Sequence, residues 1–153
     1  MKVIFLDIDG VLNYQNSDFI ADDCLNNLRQ IVNETGAKIV IISTWRVAID
    51  SECRDKYVKK TNSQLDYYKS ILQDKLTNEL RWIDIAPDLS EDRSAEIELW
   101  LNNHDNIESY VILDDFNYEY DKRYPNNWVR PYWFTGGLND KLVSKAIKIL
   151  NTV

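Results

Sequence analysis

Two pairs of acids carry the chemistry this chain could do. Asp7 and Asp9 are two residues apart in FLDIDGVLN, and Asp114 and Asp115 are adjacent in VILDD. On an extended segment such spacing puts Asp7 and Asp9 on one face while Ile8 points into the packing. Gly10 follows, and without a Cβ the backbone there can turn tightly and approach a ligand. Four converging carboxylates repel one another by on the order of several kcal/mol at moderate effective dielectric. A hard divalent cation with oxygen ligands relieves that repulsion, and Mg²⁺ is the usual choice where phosphate is also present. The expected metal ligands are therefore Asp7, Asp9, Asp114 and Asp115. Either pair alone reads better as a loop terminus or a cap. The recurrence of the pattern at the ends of two apolar runs favours a metal site.

These acids need a scaffold that brings residue 7 to residue 115. Lys2–Leu6 (KVIFL), Lys38–Ile42 (KIVII) and Tyr110–Leu113 (YVIL) are apolar, β-branched runs. Each ends in polar residues: Asp7 and Asp9, Ser43 and Thr44, Asp114 and Asp115. Leu25, Leu28, Ile31 and Val32 recur at helical spacing, with Gly36 as the stop. The pattern from Trp45 to Ala86 is looser, and Leu65, Tyr68, Ile71, Leu72 and Leu76 predict one helix within it. A further helix is predicted over Ser90–Asn103, capped by Ser90 or Asp92, with Ile97, Trp100 and Leu101 inward. The aromatic stretch Trp128–Phe134 is expected to hold a fourth strand, and Gly136-Gly137 turns the chain into a last helix, Asp140–Leu150. Strands apolar on both faces and alternating with helices predict an α/β fold, a mostly parallel sheet covered on each side. Ligands of such sheets bind beyond the carboxyl ends of the strands, where all three polar endings collect.

These segments resemble the haloacid dehalogenase-like (HAD) phosphohydrolases. FLDIDGVLN is similar to the family's first motif, IISTW to the second, Arg93 at a helix start stands where the third has a basic residue, and VILDD is similar to the fourth. TGGLND, Ser-Thr-Trp-Arg, and the run from Arg93 through Leu101 are similar to a small capless branch that includes domains associated with RNA repair. The resemblance implies a three-layer, doubly wound, Rossmann-like sheet with minimal or no cap. It implies a phosphatase with Asp7 as nucleophile and Asp9 as general acid and then base, the Asp9 backbone carbonyl completing metal coordination. Ser43, or Thr44 one residue on, would bind the phosphoryl oxygens, and Arg93 would offset transition-state charge. Arg departs from the commoner Lys at that position, which leaves a lysine elsewhere as the alternative. Of the motif-four acids, Asp115 is implied to face the metal and Asp114 to support or share it.

Composition narrows the remaining choices. With 153 residues the chain suits one domain, residues 1–153, and 44% apolar content can fill a core. A net charge of −7 argues against wrapping duplex nucleic acid, since most of the surface repels phosphate. The first apolar run is too short to span a membrane and has no signal pattern, so a cytoplasmic protein is expected, a monomer or weak homo-oligomer. Cys24 and Cys53 make no disulfide framework, neither has an activating pattern, and His104 lacks partners. No Gly-rich nucleotide loop occurs. Arg46, just past Ser43-Thr44, is expected to face substrate in preference to Trp45, as a fixed cation for a second phosphate or carboxylate. Phe116–Phe134 is aromatic and locally basic, and could rim the site and stack on a base or sugar, although most of its rings are expected to serve packing.

The substrate expected is a phosphorylated small molecule or a nucleic-acid end, the latter because an uncapped site admits large molecules. The competing reading is a non-catalytic module binding metal, phosphate or a protein. A receiver-type phosphoacceptor is disfavoured, because the second strand ends in Ser-Thr and supplies no Asp.

Overall fold

The computed structural model describes residues 1–15, 17–50, 60–76, 80–89 and 92–152; Cys53 and the capping candidate Ser90 lie outside these. Five strands, β1 (Lys2–Leu6), β2 (Lys38–Ile41), β3 (Trp82–Ile85), β4 (Ser109–Leu113) and β5 (Trp128–Val129), form one sheet in the order β3-β2-β1-β4-β5. Every pairing is parallel. Among the described residues, five α-helices accompany it: α1 (Asp22–Thr35), α2 (Asn62–Ser70), α3 (Arg93–Asn102), α4 (Tyr120–Arg123) and α5 (Asp140–Asn151). The α/β doubly wound architecture is thus realised.

The two-residue period of the strands divides the core. Ile4, Leu6, Ile39, Ile41, Val111 and Leu113 face one layer, which holds Leu28 and Ile31 of α1 and Val143, Ala146 and Leu150 of α5. Val3, Phe5, Val40, Ile42 and Ile112 face the other, against Ile97 and Trp100 of α3 and Tyr120 and Tyr124 at α4. Burying a central strand on both faces requires this apolar run and tolerates no polar residue until the strand ends. No helix among the described residues is long and apolar enough to cross a membrane.

Helix α1 ends at Gly36, whose φ of 69° and N–H to the Val32 carbonyl close the last turn. Asp92 caps α3 by accepting from the Ala95 N–H at 2.9 Å. Two elements differ from expectation. Strand β3 lies inside the stretch that showed only a loose pattern, and it is an edge strand whose Asp84 accepts a 2.7 Å bond from the Trp100 indole. The fourth expected strand shrinks to Trp128–Val129; Pro131 has no N–H to extend the ladder, and the chain turns at Trp133–Thr135 instead. Beyond Thr44, the described residues preceding α3 form a short 3₁₀ turn (Thr44–Ala48), α2 with its π-helical extension (Ile71–Lys75), and β3.

Candidate active site

The order of strands reverses between β1 and β4, and a crevice opens there in sheets of this kind. The ladder continues just past the strands: Asp7 N–H donates to the Leu113 carbonyl at 2.9 Å, and Ile42 N–H to the Leu6 carbonyl at 3.0 Å. Register therefore carries Asp7, Ser43, Asp114 and Asp115 to one edge. Asp7, Asp114 and Asp115 each offer a carboxylate oxygen, all within 4.8 Å of one another.

Arg93 enters this cluster from the first turn of α3. Its Nη1 lies 3.1 Å from Asp7 Oδ1 and 2.9 Å from Asp114 Oδ2, and its guanidinium lies over the Tyr118 ring at 4.8 Å. Burial works against its charge, but Asp7 and Asp114 keep its pKa well above the ordinary value. Arg93 is not paired along its own helix with Glu96 or Glu98; those carboxylates bind Arg46 and Arg123. Asp114 accepts three hydrogen bonds: Arg93 and the Tyr120 hydroxyl donate to Oδ2 and the Phe116 N–H to Oδ1. Asp115 is the more open acid. Burial, then the Asp7 charge and a hydrogen bond with Asp7, push its carboxyl up to about 7. Asp7, 4% exposed, is also pushed up to about 7, by burial against the pull of Arg93 and with repulsion from Asp114 and Asp9 adding to it. Three carboxylates against one guanidinium leave the equivalent of two negative charges and an all-oxygen donor set, which fits one hard divalent cation.

Asp9 stands apart from that triad. Asn13 Nδ2 donates to its Oδ1 at 2.9 Å and the Trp45 indole N–H to its Oδ2 at 3.0 Å. Its carboxylate is thus aimed by two neutral donors, so the structure separates it from the side chains that cluster for a metal. Gly10, at φ 78°, donates its N–H to Asn13 Oδ1 at 2.8 Å. The close approach it permits is to the Asp115 carboxylate, which an added Cβ would overlap.

Ser43 is buried and caps the 3₁₀ turn by accepting from the Trp45 N–H at 3.1 Å, whereas Thr44 is partly exposed. Arg46 does not face a substrate. It is 2% exposed, with Nη2 at 2.9 and 3.0 Å from the two Glu96 oxygens and Nη1 donating to the Ala86 carbonyl at 3.0 Å. Burial raises the Glu96 carboxyl even with Arg46 beside it, and the Leu89 N–H supplies a further bond at 3.0 Å. The expectation is corrected: Trp45 serves the site, through Asp9, and Arg46 locks the scaffold. Cys24 is a packing residue, its thiol pushed up to about 12 by burial, and His104 stacks on Trp100 at 3.7 Å.

Sequence reasoning did not single out Asn13, Tyr118 or Tyr120. Asn13 had a local signal, four residues past Asp9 in a turn. The others depend on packing between α3 and the chain after β4.

A parallel sheet with Asp-x-Asp on its central strand, paired acids on the neighbouring strand and a buried base between them defines a HAD-like domain. Within that class, the chain belongs to the family described as the HAD domain in Swiss Army Knife RNA repair proteins, which matches residues 3–143. No curated protein and no solved structure matches the chain.

Proposed function

We propose that this protein is a Mg²⁺-dependent phosphomonoesterase that works through an aspartyl-phosphate on Asp7 and acts on nucleic-acid ends or nucleotides. The observation that carries the reading is the pairing of a buried Asp7, clamped by Arg93 at 3.1 Å, with a separately held Asp9. Asp7 and Asp115, with Asp114 behind them, are the side chains that would hold the cation. Bound there, Mg²⁺ supplies positive charge against the phosphoryl oxygens.

The residues divide the labour as follows. An Asp7 oxygen forms a bond to phosphorus as the ester oxygen leaves, and that oxygen takes a proton from Asp9. Asp9 next removes a proton from water, whose oxygen attacks phosphorus, freeing phosphate and Asp7. Arg93 compensates charge on the Asp7 side throughout, and its planar guanidinium can bridge Asp7 and Asp114 without ever losing its proton. Thr44 is the hydroxyl that solvent reaches and is assigned to the phosphoryl oxygens, with Ser43 holding the turn. The nucleic-acid component of the reading is supported by the family's RNA repair context and by a site without a cap among the described residues.

An aryl phosphate assay tests it. Hydrolysis should require Mg²⁺, stop on chelation, and fall at least about a thousandfold in Asp7→Asn, as expected when a nucleophile is removed. Turnover that survives Asp7→Asn would overturn the nucleophile assignment.

A further inference from the structure

The segment after the motif-four acids carries a cation and exposed rings that this chemistry does not use. Arg130 Nε donates to the Asp115 carbonyl at 3.0 Å, so its guanidinium is anchored to the backbone of a residue whose carboxylate belongs to the acidic cluster. It lies over Tyr132 at 4.7 Å and over Trp128 at 5.5 Å. No described residue accepts a hydrogen bond from its Nη atoms. Tyr132 is 48% exposed and Phe116 60% exposed. Phe116 is held in place, its N–H bonded to Asp114 and its ring edge-on to Tyr118 at 4.9 Å, the ring that supports Arg93. Tyr120 and Tyr124, from the same segment, are buried. Phe116 directly follows Asp115, and Arg130, with Tyr132 against its guanidinium, is bonded to the Asp115 carbonyl, so these exposed groups are held beside the acidic cluster.

We propose that Phe116, Arg130 and Tyr132 form a subsite for the end of a single-stranded polynucleotide, and that this subsite sets substrate selectivity. Resting on the phosphatase reading, it names the part of the substrate that the reacting centre leaves untouched. Exposed rings accept the terminal base by stacking, which any base satisfies. The free Nη atoms of Arg130 take the phosphodiester one step inward, and a planar fork on an aromatic support suits that anion better than a mobile lysine does. Charge complementarity favours a single strand over a duplex. One local guanidinium in a chain of net charge −7 can meet a phosphate that is brought to it, but it cannot hold two rows of them.

The test compares kcat/KM for a single-stranded oligonucleotide with a terminal phosphate, at either end and in RNA or DNA form, against that for an aryl phosphate. The wild type is set beside Phe116→Ser, Tyr132→Ser and Arg130→Gln. The oligonucleotide-to-aryl selectivity should drop about tenfold in each ring variant, chiefly through KM. In Arg130→Gln the salt slope of oligonucleotide binding, read by fluorescence anisotropy, should shrink by about 0.7. Selectivity that stays constant in all three variants overturns the subsite while leaving the phosphatase reading intact. A phosphopeptide preferred over the oligonucleotide, and lost in the same variants, overturns the polynucleotide assignment. If the wild type hydrolyses nothing, the phosphatase reading fails. Anisotropy then decides the subsite alone, supporting it if the variants weaken oligonucleotide binding and overturning it if they do not.

Discussion

Arg46 and Arg93 are both almost wholly buried, both face carboxylates within about 3 Å, and they do different things. Arg93 touches Asp7 and Asp114, two acids of a cluster of three, so the cluster retains negative charge and can still take a cation. Arg46 meets Glu96 with both oxygens engaged, adds the Ala86 carbonyl, and lies 3.8 Å from Asp88. Through these contacts Arg46 ties the turn after β2 to α3 and to the segment after β3. Burial and charge do not distinguish a binding arginine from a structural one. The place of their acceptors does: Arg93 bonds acids of the Asp7, Asp114 and Asp115 cluster, and Arg46 bonds Glu96, which is no part of it.

The largest expected effect separates the two by stability. Arg46→Met should cost about 3–5 kcal/mol, because Glu96 is left charged and unpaired inside the protein. Adding Glu96→Gln should return much of the loss, as followed by urea denaturation. A stable Arg46→Met that has lost activity would place Arg46 back at the site. Arg93→Gln should act in the opposite sense, lowering kcat by about 10²–10³-fold in the aryl phosphate assay, the scale seen when one preorganised charge donor is removed. If it unfolds the protein as readily as Arg46→Met does, the contrast fails.

A pH effect comes next. Asp7 and Asp115 titrate near 7 in the folded chain, against 3.8 for an ordinary aspartate. Between those values the folded metal-free protein holds protons that the unfolded chain has released. Its stability should therefore fall as pH rises from about 4 through about 7. Mg²⁺ should flatten that slope and bind more tightly as pH rises, since it favours the ionised carboxyls. Thermal melts across this range, with Mg²⁺ and with chelator, measure both. A slope unchanged by Mg²⁺ would remove the acids from the metal site.

The smallest effect concerns Asp9. Trp45→Phe keeps most of the packing but deletes the indole N–H, and should cost about 1 kcal/mol of stability. It should also displace the pH–rate profile for the ester, whereas a purely structural tryptophan would leave that profile alone.

Much of the site was legible in the sequence because its parts are local. Strand runs end in chemistry, and Asp-x-Asp spacing determines a shared face. Strand β3 was not legible, because Trp82–Ile85 is a half-buried edge whose place depends on Ile39–Ile41 beside it. Nor was the role of Glu96: a glutamate one turn after Arg93 reads as its helix partner, and only the chain crossing from β2 brings Arg46 within 3 Å of it.

By itself, then, the sequence determined that this is a parallel α/β sheet with Asp7, Asp9, Asp114 and Asp115 at its carboxyl edge. Residue type and the two-residue period of a strand suffice for that. Tertiary structure alone decided which acids group together, which hydroxyl stays open, and which arginine answers to which carboxylate. Those outcomes depend on distances between segments as far apart in the chain as residues 46 and 96, where no periodicity reaches.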